Sequence, residues 1–434
     1  MYSNIRWVIF LYLNIMKDKI KNGEYNKILK ELYKDENVAI KRYLKVVDGF
    51  EKYFGTDRDV SVFSAPGRTE IIGNHTDHQC GIAIGASINL DIVGVASLNN
   101  SNTIRVKSEG YDGIDEIFID DLEVSEKEYN TSKALIRGTL NKMSQYNAQI
   151  KGFDLYTSSN VLKGSGLSSS AAFEVLVATV FNNLFFNGEI DAVEIAKTGK
   201  YAENIYFNKP CGMLDQTASS VGGFVYKDFE NKDNPDIEKI EFDLSKYGYS
   251  LCVLDTGGNH AELTSEYAMV SGEIKEICKY FKKDVLREVD EQEFLNSLKE
   301  IRENVSDRAI LRAFHVFDEN KRVLKFKEAL KNEDFNLILS LVKESGDSSY
   351  KYLQNVFAPS DKENQGLSLA LLLSEKVLKG RGSVRVHGGG FAGTIQAYVP
   401  DFLVAEYKKE TEKVFGEGKC YNLFIRKEGG IKVI

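Results

Sequence analysis

Through a charged stretch over residues 17–54, apolar side chains such as Ile28, Leu29, Leu32 and Tyr33 recur at three- and four-residue intervals. That spacing predicts a helical approach to whatever follows. From Val60 the period shortens to two. VSVFSAPGR leads through a turn into IAIGASINLDIVGVASL, rich in the β-branched residues that suit paired strands. An apolar run over 171–186, directly after a Gly/Ser segment, predicts a helix, and 190–208 predicts a second helix with mixed faces. KIEFDLSKYGYSLCVLDTG returns to strand patterning and opens a second half in which residues 266–347 read as long charged helices. Near the end, SVRVHGGGFAGTIQAYV reads as strand, glycine loop, strand.

At 434 residues the chain is too long for one ordinary core and divides into domains of roughly 200 residues. We expect an N-terminal helical extension over 1–58, a first domain over 59–225 and a second over 226–434. Hydrophobic residues make up 43% and charged residues 28%, which predicts a globular chain throughout. The net charge of −8, with both signs interspersed, argues against a nucleic-acid or anionic-membrane partner. Five cysteines without a CxxC pair indicate neither a disulfide framework nor a zinc knuckle, and they fit a reducing cytoplasm. The apolar stretch from Trp7 to Leu13 is too short to span a bilayer. It reads as an amphipathic first helix or as residues ahead of a working start at Met16.

Four runs carry candidate chemistry. KGSGLSSSAA, residues 163–172, stands between strand-like sequence and the apolar helix. Glycines there let backbone approach a ligand, and a helix N-terminus offers unpaired N–H groups to phosphate oxygens. The plain alternative is a serine-rich helix cap with a flexible loop. SAPGRTEIIGNHTDHQCG crowds Arg68, Glu70, His75, Asp77 and His78 into one strand and turn. It admits a ligand site, a surface ion pair, or a metal site on HTDH. KYAENIYFNKPCGMLDQTAS places Glu203 on a helix and Asp215 after a Pro-Cys-Gly turn, which taken alone is equally consistent with two solvated carboxylates. HGGGFAGT is a glycine-rich strand connection, plausible as a tight hairpin.

Together and in this order, the four runs resemble the GHMP kinases. The sugar-kinase branch of that family carries a GRxNxIGEHxDY signature, a GLSSSA phosphate loop, a CGxxDQ segment and a GGGFGG loop. RAFHVFDENKRVLKFKEALKNEDFNLILSLVKESGDSS further resembles the galactokinase branch. The resemblance implies an α/β (α+β) fold of two domains, with mixed sheets covered by helices and the active site in the cleft between them. It implies a cytoplasmic, monomeric enzyme using ATP and Mg²⁺ to phosphorylate the anomeric hydroxyl of a monosaccharide, galactose first among them. By the same carry-over, Lys163, Gly164, Ser165, Gly166, Leu167, Ser168, Ser169 and Ser170 would wrap the ATP phosphates, with Ser170 and Glu203 holding Mg²⁺. Asp215 would face the anomeric hydroxyl and Arg68 would stand beside it. Glu70, Asn74, His75, Asp77, Gly212 and Tyr267 would contact the sugar.

The chain departs from the pattern in places. The family's Asn and Glu have traded positions, as Glu70 and Asn74, and the Tyr that closes the first signature is His78. If Glu70 and Asn74 face one site, the exchange would keep a similar hydrogen-bond set with donor and acceptor reversed. The segment after Tyr267 reads AMVSG and lacks the usual Asn and Arg, and the SH and CPELD elements after Asp347 are absent. These losses keep other sugars open, namely N-acetylgalactosamine, a uronic acid or arabinose, as well as a non-catalytic sugar sensor on the same fold.

Overall fold

The computed structural model describes residues 13–146, 149–161, 166–209, 211–231, 235–257 and 264–434. An eight-stranded sheet and a four-stranded sheet, each covered by helices, form its frame.

The first sheet takes β1 (Ser61–Ile72), β2 (Ile82–Leu98), β3 (Thr103–Ser108), β4 (Asp115–Phe118), β5 (Phe153–Ser159), β6 (Phe224–Asp228) and β7 (Asp236–Ile240). Its order is β12 (Ile431–Lys432), β1, β2, β5, β3, β4, with β6 paired to β2 and β7 to β6. Among the described residues only the β3–β5 pair is parallel. The seventeen-residue β2 is the spine, since it pairs with β1 along its length, with β5 through Ile92–Leu98 and with β6 through Ile82–Ala86.

Both faces of this sheet are covered, which is why its strands read as nearly continuous apolar runs. On one face Val62, Val93, Val95 and Tyr156 pack against Val46, Val47, Phe50 and Phe54 of the helix Glu36–Phe54. The N-terminal extension is therefore a covering layer, and Leu13 and Ile20 are buried in it. On the other face Phe63, Ala65 and Leu155 meet Val175, Leu176 and Val180 of the helix Ser169–Phe185. That helix is apolar on all sides because it is buried on all sides.

The second sheet is antiparallel in the order β11-β8-β10-β9, from β8 (Tyr249–Asp255), β9 (Ser383–Val386), β10 (Thr394–Pro400) and β11 (Cys420–Leu423). The strand, glycine loop, strand reading of residues 383–399 matches β9 and β10. The chain end returns to the first sheet as β12 (Ile431–Lys432), beside Phe63 and Ser64. A boundary between 225 and 226 falls inside β6. The first sheet runs on to Ile240 and recovers residues 431–432, because β6 and β7 satisfy their backbone groups on β2 and on each other.

The two parts are joined by buried polar contacts along β1. Gln396 Nε2 donates to Thr69 Oγ1 at 2.7 Å and to the Glu70 carbonyl at 2.9 Å. The Arg385 guanidinium donates to the Ile71 carbonyl, and His387 Nε2 accepts from the Glu70 amide at 3.3 Å. No helix among the described residues is long and apolar enough to cross a membrane.

Candidate active site

Arg68 follows an irregularity in the β1–β2 pairing between Pro66 and Arg68, which turns its side chain toward the end of the helix Ser169–Phe185. Its Nε and Nη2 donate to the two Asp215 carboxylate oxygens at 2.7 and 2.8 Å, a two-pronged pair made across 147 residues of sequence. The remaining nitrogen, Nη1, donates to the Gly166 carbonyl, and the Arg68 amide donates to the Leu167 carbonyl at 3.1 Å. One arginine thus ties the loop before the helix to the carboxylate.

Asp215 lies in the first turn of the helix Leu214–Val221, where the dipole favours negative charge. It also accepts from Ser168 Oγ. Burial works to raise its carboxyl, but Arg68, Ser168 and Lys209 outweigh that and hold it below the usual carboxylate range. Asp215 is ionised at neutral pH, with its side chain 37% exposed and open to a ligand.

Ser168 adopts left-handed backbone, φ 54°, as the cap of the helix Ser169–Phe185. A serine there turns the chain so that Gly166 faces the second domain. A methyl group added at Gly166 would stand 3.4 Å from both His387 Nδ1 and Thr394 Oγ1. Ser169 and Ser170 open the helix, half-buried. The Leu167 side chain is in the core and its carbonyl accepts from the Arg68 amide, so it anchors the loop. Lys163, Gly164 and Ser165 lie outside the described residues.

Ser170 Oγ donates to Glu203 Oε1 at 3.3 Å. Glu203, from the π-helical turn Ala202–Tyr206, also accepts from Lys209 Nζ at 2.8 Å and from Gln216 Nε2 at 2.8 Å. Gln216 Nε2 donates onward to Glu174 at 3.0 Å. Burial and the neighbouring Glu203 charge push the Glu174 carboxyl well up. The Ser170 and Glu203 pair fits Mg²⁺, which takes hard oxygen donors and one or two carboxylates beside phosphate oxygens. Lys209 is paired with that carboxylate, with its Nζ 2.8 Å from Glu203 Oε1.

The remaining candidates gather on the other side of Asp215. A methyl group added at Gly212 would stand 3.2 Å from Asp77 Oδ2, so Gly212 and Asp77 share one wall. His75, at φ 59°, donates from Nε2 to the Gly389 carbonyl at 2.8 Å and stacks on Tyr267 at 6.3 Å. The Tyr267 hydroxyl donates to the Gly390 carbonyl at 2.9 Å, and burial pushes its pKa up to about 12. Glu70 and Asn74 do face one another. Asn74 Nδ2 donates to Glu70 Oε1 at 3.1 Å, which also accepts from Arg385 Nη2 at 3.0 Å. Asn74 is corrected as a sugar contact. It is wholly buried, donates also to the Gly388 carbonyl, and accepts from Asn355 Nδ2 at 2.7 Å. Its hydrogen bonds hold the glycine loop in place.

Among the described residues, no three His, Cys, Asp or Glu side chains converge as a metal-binding group. His78 Nε2 stands 3.9 Å from Asp77 Oδ1, so HTDH does not close into a metal cage. His315 and His387 are core histidines, His315 between the Asn74 carbonyl and Ser348. His260 lies outside the described residues. Sequence reasoning passed over Lys209, Gln216, Asn355 and Arg385, whose roles depend on partners far away in the chain. It also passed over Lys227, whose signal was a lysine inside the apolar strand FVYKD.

Comparison with known proteins bears on the family and the fold. Residues 134–223 match the N-terminal domain of the GHMP kinases, and residues 48–98 match the galactokinase galactose-binding signature. The chain is 30% identical over 382 residues to a galactokinase of Clostridium acetobutylicum, covering 83% of this chain and 92% of that protein. The crystal structure of Lactococcus lactis galactokinase complexed with galactose superposes with a TM-score of 0.74 at 26% identity, covering 89% of this chain and 98% of the other. Methanococcus jannaschii mevalonate kinase shares the fold alone, with a TM-score of 0.61 at 15% identity over 84% of this chain and 98% of that one. With a relative of that identity along nearly its whole length, the chain belongs to the galactokinase family of GHMP sugar kinases.

Proposed function

We propose that the protein transfers the γ-phosphoryl group of ATP to the anomeric hydroxyl of galactose, giving galactose 1-phosphate. The observation that carries this reading is the two-pronged Arg68–Asp215 pair beside the N-terminus of the helix Ser169–Phe185. Phosphoryl transfer asks mainly for alignment and for stabilisation of charge on the phosphoryl oxygens. Asp215, ionised and partly open, accepts the hydrogen bond of the attacking hydroxyl and can take its proton as the new O–P bond forms. The Arg68 guanidinium lies between that carboxylate and the loop, where it can offset charge on the transferred group. The helix N-terminus and the Ser169 and Ser170 hydroxyls suit the phosphate oxygens. Mg²⁺, held by Ser170 and Glu203, would neutralise phosphate charge. Asp77, Gly212, His75 and Tyr267 form the side on which the sugar would lie.

The test is ATP- and Mg²⁺-dependent phosphorylation across a panel of free monosaccharides, with Asp215→Asn alongside. Turnover of galactose in preference to the others, falling about 10²- to 10⁴-fold in the variant, is the expected result. Preference for a uronic acid, N-acetylgalactosamine or arabinose would overturn the substrate. ATP binding without turnover of any sugar would overturn the enzyme reading.

A further inference from the structure

Lys227 is a buried cation near the site for which the reaction above has no use. Its side chain is 2% exposed, on β6 opposite Ala83 of β2. Among the described residues no carboxylate lies within ion-pair distance of it and no hydrogen bond is made to it, whereas Arg312, Arg385 and Arg426, similarly buried, are all bonded. An ammonium withdrawn this far from water with an aromatic ring as its partner and no carboxylate beside it is costly. Its Nζ stands 4.5 Å above the centroid of the Phe229 ring, a cation–π contact. Phe229 Cε1 would lie 3.8 Å from a methyl group at Gly212, the same point that Asp77 Oδ2 approaches to 3.2 Å. Lys227, Phe229, Gly212 and Asp77 therefore line one continuous wall beside Asp215.

We propose that Lys227 is a specificity-determining residue of the sugar pocket, donating a hydrogen bond to a ring hydroxyl of a neutral hexose on the side where Asp77 accepts one. This rests on the galactose reading above. Charge balance favours a neutral sugar over an anionic one. Asp215 is already matched by Arg68, which leaves Asp77 and Lys227 as an acceptor and a donor of opposite charge across the same space. Burial, followed by the like charge of Lys200, lowers the ammonium to about 7, while Asp77, Asp215 and Cys211 work the other way. His78 also adjoins Asp77. A hydroxyl delivered to Lys227 supplies the hydrogen-bond acceptor that the folded chain does not.

Lys227→Met keeps the shape of the side chain in apolar surroundings and should leave the thermal midpoint unchanged or raised. With the wild type turning over galactose, the variant is expected to raise the galactose KM about tenfold at pH 6.5, with kcat and the ATP KM nearly unchanged. In the wild type the galactose KM should rise as pH passes above about 7 and the ammonium is lost, and this rise should vanish in the variant. Lys227→Gln, which retains a donor, should recover part of the affinity. Among the monodeoxygalactoses, one should lose its penalty in Lys227→Met, identifying the hydroxyl concerned. An unchanged KM and pH profile in a folded variant would overturn the proposal while leaving galactose phosphorylation intact. So would preference for galacturonate that depends on Lys227. Failure of the wild type to phosphorylate any sugar would instead remove the reading on which the proposal rests.

Discussion

The charge arrangement at Arg68 and Asp215 has a consequence for pH. Arg68 contributes most of what holds the Asp215 carboxyl below the ordinary range against the pull of burial. In the wild type, activity should stay level as pH falls toward the usual carboxylate range, since Asp215 remains ionised there. Arg68→Lys substitutes a point charge for a planar fork that fits the carboxylate with two parallel bonds. We expect kcat to fall about 10²-fold and the acidic limb of the kcat profile to move to higher pH, because a carboxyl less well stabilised as an anion takes a proton sooner. A steady-state pH series on both proteins measures this, and a limb that stays in place would detach Arg68 from the ionisation of Asp215.

The glycine loop between β9 and β10 acts as one element with the turn after β1. Asn74, His75 and Tyr267 all hold its carbonyls, at Gly388, Gly389 and Gly390. Gly390 is in left-handed backbone, φ 81°, and a methyl group there would come within 2.1 Å of the Asn355 carbonyl. Neither the carbonyl nor Asn355, which is bonded to Asn74 and Gly389, can retreat freely. Gly390→Ala should therefore cost about 2 kcal/mol or more in stability and raise the galactose KM more than the ATP KM, read by urea unfolding and steady-state kinetics. Glu70 belongs to the same assembly, pinned by the buried Arg385. The exchange of Glu and Asn relative to the family signature thus keeps the two side chains bonded to each other. Sequence reasoning anticipated that they might share a site but not that Asn74 would be consumed by the loop.

Across the whole molecule, Asp91 gathers what lies far apart in the chain. It is wholly buried in β2 and accepts from Arg42 and Tyr33 of the N-terminal helices, from Ser64 of β1, and from Arg426 near the chain end at 3.2 Å. Arg42 and Arg426 overcome the effect of burial and keep the carboxyl below its ordinary range. Asp91→Ala would leave both arginines buried without their carboxylate, and its expected cost is about 3 to 5 kcal/mol, seen as a lowered midpoint in thermal or urea unfolding. A shift within measurement error would mean that the helical layer is held by the apolar contacts of Val46, Val47 and Phe50 alone. The N-terminal helices could be read from their periodicity, but their role as one side of this clamp could not.

Local pattern determined a good deal by itself. The period-two runs at 60–72 and 82–98, the apolar helix behind GLSSSAA and the strand, glycine loop, strand near residue 390 follow from side-chain spacing, which acts over a few residues and needs no distant partner. The order of the four motifs was enough to indicate the family. Tertiary structure decided which charges share a cavity. Arg68 meets Asp215 across 147 residues, Asn74 is sealed beneath the glycine loop, Lys227 comes to lie over the Phe229 ring, and the last strand returns to the first sheet. Whether a polar side chain is a ligand contact or a structural tie depends on what burial leaves unsatisfied around it, and burial is set by the crossing of distant segments.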